Sequence, residues 1–136
     1  MNDLNASCRA AVEKFFVLFD ADDLDPFKSI LHPDIEWTMM GSSIPGFGVA
    51  HKGADMIVDT VIAPARKQFA GRPVSTLKNM IVAAPWVVAE VEGSGVFRDG
   101  RPYENSYCIV FEIKCGLVRI LREYMDTGYI LELMRS

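Results

Sequence analysis

At 136 residues, half of them hydrophobic and 24% charged, the chain has the size and make-up of one globular domain and not of a disordered or fibrous protein. A formal charge of −4 with no cluster of Lys and Arg excludes the usual nucleic-acid-backbone binder. The longest apolar runs, 80–89 and 108–111, fall far short of the ~20 residues that span a bilayer, and no signal-peptide pattern opens the sequence, so a cytoplasmic protein with no membrane partner is expected.

Leu4, Cys8, Ala11, Val12, Phe15, Leu18 and Phe19 recur every three or four residues, which predicts an amphipathic helix with one wide apolar stripe. The acidic run Asp20, Asp22, Asp23 opposes the dipole at its C-terminus, and Asp23 or Asp25 is placed to cap a second, short helix starting at Pro26 and ending near His32-Pro33. A strand is expected over 35–40, then a Gly- and Pro-rich loop over 41–53. Residues 54–69 carry Met56, Ile57, Val61 and Phe69 at mostly helical spacing, with Pro64 set to kink or interrupt the helix and Gly71 to stop it.

From Val74 the apolar period changes to two. Residues 74–83, 86–97, 103–114 and 117–126 read as strands separated by Pro85, Asp99-Gly100 and Cys115-Gly116, the middle turn being a strong hairpin signal. Residues 129–134 suit either a short helix or a further strand. Helices followed by an antiparallel meander predict one α+β domain over 1–136, its helices covering one face of a curved sheet. If Glu90 and Glu92 point inward, then Val87, Ala89 and Val91 point out. A sheet apolar on both faces needs a second partner, so a homodimer through the sheet face is expected.

One acid in the last predicted strand is out of keeping with its neighbours. Leu121, Glu123 and Met125 share a face because strand side chains alternate. A carboxylate between Leu and Met on a dry face either does proton chemistry in a pocket or pairs with an arginine such as Arg119 or Arg122. In an apolar pocket, desolvation would raise its pKa toward the range useful for proton transfer. Glu90 and Glu92, two apart, also point one way; they either share a proton or form a ladder with Lys78 or Arg101. Asp126 has the opposite parity to Glu123 and should point to the dimer side or a turn.

Asn105 and Tyr107 share a face, where the tyrosine hydroxyl either orients a substrate carbonyl or is satisfied as a core group. His51 follows the Gly-rich loop, which could lie over a pocket mouth and make the imidazole a proton shuttle; His32 caps or packs at a helix end. Cys8, Cys108 and Cys115 lack a CxxC pair or a His partner and read as reduced thiols, Cys108 as a small buried hydrophobe and Cys115 as an exposed turn residue. No metal motif and no phosphate or dinucleotide fingerprint is present, so no metal and no cofactor are expected.

The stretches Asp20-Ala21-Asp22-Asp23-Leu24-Asp25, His32-Pro33-Asp34-Ile35-Glu36-Trp37, Lys52-Gly53, Gly100-Arg101-Pro102-Tyr103-Glu104-Asn105 and Arg122-Glu123-Tyr124-Met125-Asp126-Thr127 together resemble the nuclear transport factor 2-like superfamily, in particular its SnoaL-like and ketosteroid isomerase-related members. The resemblance covers nearly the whole chain. It implies a cone: a bent antiparallel or mixed sheet wrapped by three helices from the N-terminal half, enclosing a mostly apolar pocket. The family's enzymes include polyketide cyclases, steroid isomerases and epoxide hydrolases, and other members only bind.

Matched to the steroid isomerases, the general-base position holds Met39 and the oxyanion-hole position holds Phe15, which cannot donate a hydrogen bond. Matched to the epoxide hydrolases, the two acids fall on Glu92 and Glu123, but the central Arg falls on Glu90 and the water-holding pair on Trp37 and Met39. Both departures count against those reactions. The polyketide cyclases need only an acid on the last long strand, a role open to Glu123. The resemblance therefore implies a small apolar or weakly polar, cyclic or polyketide-like substrate. Glu123 would be the catalytic proton donor and acceptor, with Glu92 as its catalytic partner and Glu90 as a further catalytic carboxylate, and Tyr107 and Asn105 would position the substrate. Trp37, Met39, Phe15, Phe19 and Met125 would be walls, with His51 at the mouth. The rival expectation is a non-catalytic ligand-binding or accessory dimeric domain. Convergence of the three glutamates on one cavity discriminates the two.

Overall fold

The computed structural model describes residues 3–135. Helix α1 (Asp3–Phe19) leads through a 3-10 turn (Pro26–Ile30) into strands β1 (Leu31–Met39) and β2 (Ala50–Lys52). A composite helix follows, made of α2 (Ala54–Ile57), a π-helical turn (Val58–Ile62) and α3 (Ala63–Arg66). Four long strands then run in sequence, β3 (Val74–Ala83), β4 (Trp86–Val96), β5 (Pro102–Lys114) and β6 (Leu117–Met125), before a last helix, α4 (Thr127–Arg135). The six strands form one open sheet in the order β2-β1-β6-β5-β4-β3; only β1 and β6 are parallel. This is the α+β, mixed-sheet, helix-wrapped arrangement that the sequence predicts. No helix among the described residues is long and apolar enough to cross a membrane.

The core lies between one sheet face and the N-terminal helices. Strand alternation sends Val87, Ala89 and Val91 of β4 and Ile109, Phe111 and Ile113 of β5 to that face, and a register shift at Arg119 lets both Val118 and Leu121 of β6 join them, all buried. Phe15 from α1 stands at its centre, 2% exposed, with ring centroids 5.0 Å from Phe27 and 5.1 Å from Phe111. Edge-to-face contacts of this kind add to the area buried, which alone is worth about 1.5–3 kcal/mol for such a side chain. Leu4, expected in the helix stripe, is instead 67% exposed, and Phe16 takes a core place one position beyond the stripe.

The strand expectations hold to within one residue in the meander, where the Cys115-Gly116 turn has positive φ at both residues, 54° and 74°. Three boundaries differ. β1 begins at Leu31, and its register slips between Leu31 and Glu36, so that Pro33 falls in the irregularity, where a missing N–H is tolerated. β2 lies inside the expected loop and is too short for periodicity to reveal. The composite helix stops at Arg66 and not at Phe69, because Phe69 bridges to Phe97 and stacks on it at 4.7 Å. Pro64 does not break this helix: the preceding turn widens, Ala63 N–H donating to the carbonyl of Val58 five residues back, and the wider turn accommodates the proline ring and its missing donor. Residues 129–134, left open between helix and strand, belong to α4.

Candidate functional site

The core does not fill the space between the sheet and the helices. Toward the C-terminal end of β6 a cavity of about 860 Å³ opens, walled by Phe15, Phe19, Trp37, Met39, Ile109 and Met125 among others. Glu123 projects into it. Its neighbour across the parallel ladder is Met39, and two positions earlier Trp37 faces Leu121, so the indole reaches diagonally to the carboxylate: Trp37 Nε1–H donates to Glu123 Oε1 at 2.8 Å. Among the described residues no arginine pairs with Glu123; Arg119 lies 3.6 Å from Glu36, and Arg122 sits over the Trp86 ring at 5.2 Å. Glu123 is partly exposed and lines the cavity. Desolvation raises its pKa to about 7, against the hydrogen bond from Trp37, which favours the charged form and lowers it.

The second group on this wall comes from β5. Tyr107 is opposite Met125, and Ile109 is opposite Glu123, which makes Tyr107 and Glu123 diagonal neighbours on one sheet face. The Tyr107 hydroxyl is hydrogen-bonded to that of Tyr103, and Asn105 Nδ2 donates to the Tyr103 oxygen at 3.2 Å. Burial pushes both tyrosine pKa values up, with the nearby Glu123 charge adding to the rise, so both hydroxyls keep their protons and can donate. The edge of the Tyr107 ring abuts Gly93 of β4: a Cβ there would stand 2.8 Å from Tyr107 Cε1. A glycine inside a strand often marks such a close approach. Tyr103 is a functional candidate that alternation from Tyr107 would have found, four residues along the same face.

Of the expected site residues, Trp37, Met39, Phe15, Phe19, Met125, Tyr107 and Glu123 line the cavity. Asn105 does not. It is 5% exposed and acts behind the wall, its Oδ1 accepting from Ser106 N at 2.9 Å while its Nδ2 aligns Tyr103. His51 also stays out. Its Nε2 donates to the carbonyl of Gly46 at 2.9 Å, tying down the Gly-rich loop, which reaches the cavity through Pro45 and Phe47.

Glu90 and Glu92 correct the sequence reading outright. They face the outer side of the sheet, because Val87, Ala89 and Val91 take the inner one, and burying two carboxylates in place of those apolar groups would be far costlier. Glu90 accepts from Asn79 Nδ2 at 3.1 Å, and Glu92 accepts from Ser106 Oγ at 2.9 and 3.1 Å. The three glutamates do not converge. Cys108 shares this outer face and is exposed, not buried as expected, whereas Cys115 is exposed and Cys8 buried.

The mouth is closed in part by α4. Ile130, Leu133 and Met134 line the cavity, and the helix is fastened by Asp126, whose Oδ1 accepts from Tyr129 N at 3.1 Å, and by Arg101 Nη1, which donates to the carbonyl of Leu133 at 2.8 Å. Asp126 thus turns away from Glu123, as its parity predicts. Among the described residues no three His, Cys, Asp or Glu side chains are grouped to hold a metal ion.

Fold and site together define a class. The model of the SnoaL-like domain matches residues 12–121, and the chain belongs to that family. Solved structures of the nuclear transport factor 2-like fold superpose on it. One from Burkholderia pseudomallei K96243 does so with a TM-score of 0.83 at 19% identity, covering 96% of this chain and 98% of that one. Another from Burkholderia thailandensis E264 does so at 0.80 and 23% identity, covering 93% and 96%. TerC, co-crystallised with polyporic acid, does so at 0.82 and 20% identity, covering 96% and 99%. At such identities the likeness is one of fold. No curated protein matches the chain in sequence.

Proposed function

We propose that the protein is an acid–base enzyme of the isomerase or cyclase type, working without a cofactor on a hydrophobic, cyclic or polyketide-like substrate held in the cavity. The observation that supports this is a single carboxylate, Glu123, in the cavity wall, held by one indole N–H and paired with no cation among the described residues, where burial pushes its pKa up to about 7. A base whose pKa lies near the working pH can take a proton from the carbon beside a carbonyl and give it back. As that proton moves to Glu123, negative charge develops on the carbonyl oxygen. The tyrosine pair supplies the donor: the two hydroxyls are hydrogen-bonded to each other and either can donate, and in the reacting arrangement Tyr103, itself accepting from Asn105, donates to Tyr107 so that the Tyr107 proton turns to the enolate oxygen. The enolate carbon then either attacks a second carbonyl of the same molecule, closing a ring while the C=O π electrons pass to its oxygen as an alkoxide that takes the proton back from Glu123, or hands the charge to another carbon that Glu123 reprotonates.

Proton exchange tests this before any substrate is known. With a panel of aryl ketones and β-keto esters in D₂O followed by proton NMR, the wild-type protein should speed exchange at the activated carbon, and Glu123→Gln should slow that exchange by roughly 10²–10⁴-fold. Equal rates in the two proteins would refute the role of Glu123. A second reading is favoured by the outward turn of Glu90 and Glu92: a ligand-binding domain in which Glu123 has no catalytic partner. It predicts binding of the same compounds with no exchange above buffer.

A further inference from the structure

The cavity wall carries three guanidinium groups, Arg66, Arg98 and Arg101, against two carboxylates, Asp99 and Glu123, in a chain whose net charge is −4. Arg101 is taken: its Nε donates to Asp99 Oδ2 at 2.9 Å. The ion pairs among the described residues are made by Lys28, Lys52, Arg72, Arg101 and Arg119, and neither Arg66 nor Arg98 is among them.

Arg66 is the sharper case. Its Nη1 donates to the carbonyl of Ala21 at 2.8 Å, and its Cζ stands 5.3 Å from the centre of the Phe19 ring. Nε and Nη2 form the side-on edge that grips both oxygens of a carboxylate. Both are shielded from water and have no hydrogen-bond partner. A desolvated, unpaired guanidinium edge costs free energy that an anion would restore. Arg66 lines the cavity and is held by one hydrogen bond and one ring face, so for an anion there to be gripped the shielded edge has to turn toward it.

From Arg66 the wall runs through aromatic rings to the reacting end. Phe19 stacks on Phe15 at 5.9 Å, Phe15 lies 5.8 Å from Trp37, and Trp37 holds Glu123. We propose that the ligand is an amphipathic acid: a flat apolar skeleton lies along these rings, its carboxylate meets Arg66, and its other end reaches Glu123 and Tyr107. The exposed Arg98 at the mouth adds attraction for an anion in transit. This assignment of substrate class rests on the reading of the cavity as a small-molecule pocket.

The competing use of Arg66 is structural. Asp20 Oδ1 is also buried without a partner, its charge acts on Arg66, and an ion pair between them would tie the end of α1 to α3. Calorimetric titration of biphenyl-4-carboxylate and biphenyl-4-carboxamide at pH 6 separates these uses, since the skeleton is constant and only the charge changes. The acid should bind the wild-type protein roughly tenfold or more tightly than the amide, the scale of one charge-assisted hydrogen bond. Arg66→Gln should bring the two affinities together while leaving the amide's unchanged. Arg66→Lys, which keeps the charge but loses the fork, should fall between and stands in if the glutamine variant does not fold. Equal binding of acid and amide by the wild type would overturn the anionic ligand and leave the pocket reading intact, as would an unchanged ratio in Arg66→Gln accompanied only by lower stability. Failure of both compounds to bind would overturn the pocket reading and this inference with it.

Discussion

The carboxylate of Glu123 is stabilised by one donor and opposed by its surroundings, so its chemistry rests on Trp37 as much as on itself. Replacing Trp37 by Phe removes the N–H that favours the charged form, and the Glu123 pKa should rise further above about 7, visible in a carbon-13 titration. The same shift acts on stability. The folded-state pKa lies above the ordinary glutamate value, so between pH ~4.5 and ~7 the native state binds more protons than the unfolded chain and stability falls as pH rises. The loss is on the order of 1–3 kcal/mol, the lower figure applying where cavity water screens the charge. Glu123→Gln, which cannot ionise, should therefore melt higher than the wild-type protein at pH 8 and match it near pH 4. Gly93 is the other sensitive position at this scale. Gly93→Ala puts a methyl 2.8 Å from the Tyr107 ring, and displacing that ring should break its bond to Tyr103 and slow exchange catalysis while Glu123 still titrates near neutrality.

Helix α4 has no buried residue, yet it covers the mouth through Ile130, Leu133 and Met134. Removing its N-terminal cap by Asp126→Ala should cost about 1 kcal/mol of local helix stability, read as faster hydrogen exchange of the α4 amides with little change in global melting. Unchanged exchange would show that side-chain packing and the Arg101 hydrogen bond to Leu133 hold this helix without the cap. Its conformation was not legible in 129–134, because an apolar segment of that length carries no period that separates helix from strand. The strands of the meander were legible because each runs nine residues or more, enough for alternation to show even though β3 and β6 each break it once at a register shift. Within β6 that alternation alone placed Glu123 beside Leu121 and Met125. In β4 it was not enough: Val87, Ala89 and Val91 alternate with Trp86, Val88, Glu90 and Glu92, both sets contain apolar residues, and only the packing of α1 against the sheet decides which set lies inside.

At the scale of the whole molecule, the sheet's outer face carries a row of apolar groups in register, Ile81 beside Val88 and Val88 beside Val110, with Ile81 60% exposed and Tyr124 43% exposed nearby. The sequence expectation of a dimer put Val87, Ala89 and Val91 on this outer face, but they are buried on the inner one; we propose that a homodimer forms instead across Ile81, Val88 and Val110, so sedimentation equilibrium should give a dimer, with Ile81→Lys shifted toward monomer, and a wild-type monomer at high concentration would dismiss it. Such a pairing would leave the cavity open on the opposite side of the sheet. Proton transfer inside that cavity is the idea on which the functional reading stands, and it requires one acid to titrate where no ordinary surface glutamate does. Carbon-13 NMR of the glutamate side-chain carboxyls, with the Glu123 resonance assigned by its absence in Glu123→Gln, measures this directly. A midpoint near 7 is predicted; a midpoint in the ordinary glutamate range, near 4.5, would contradict it.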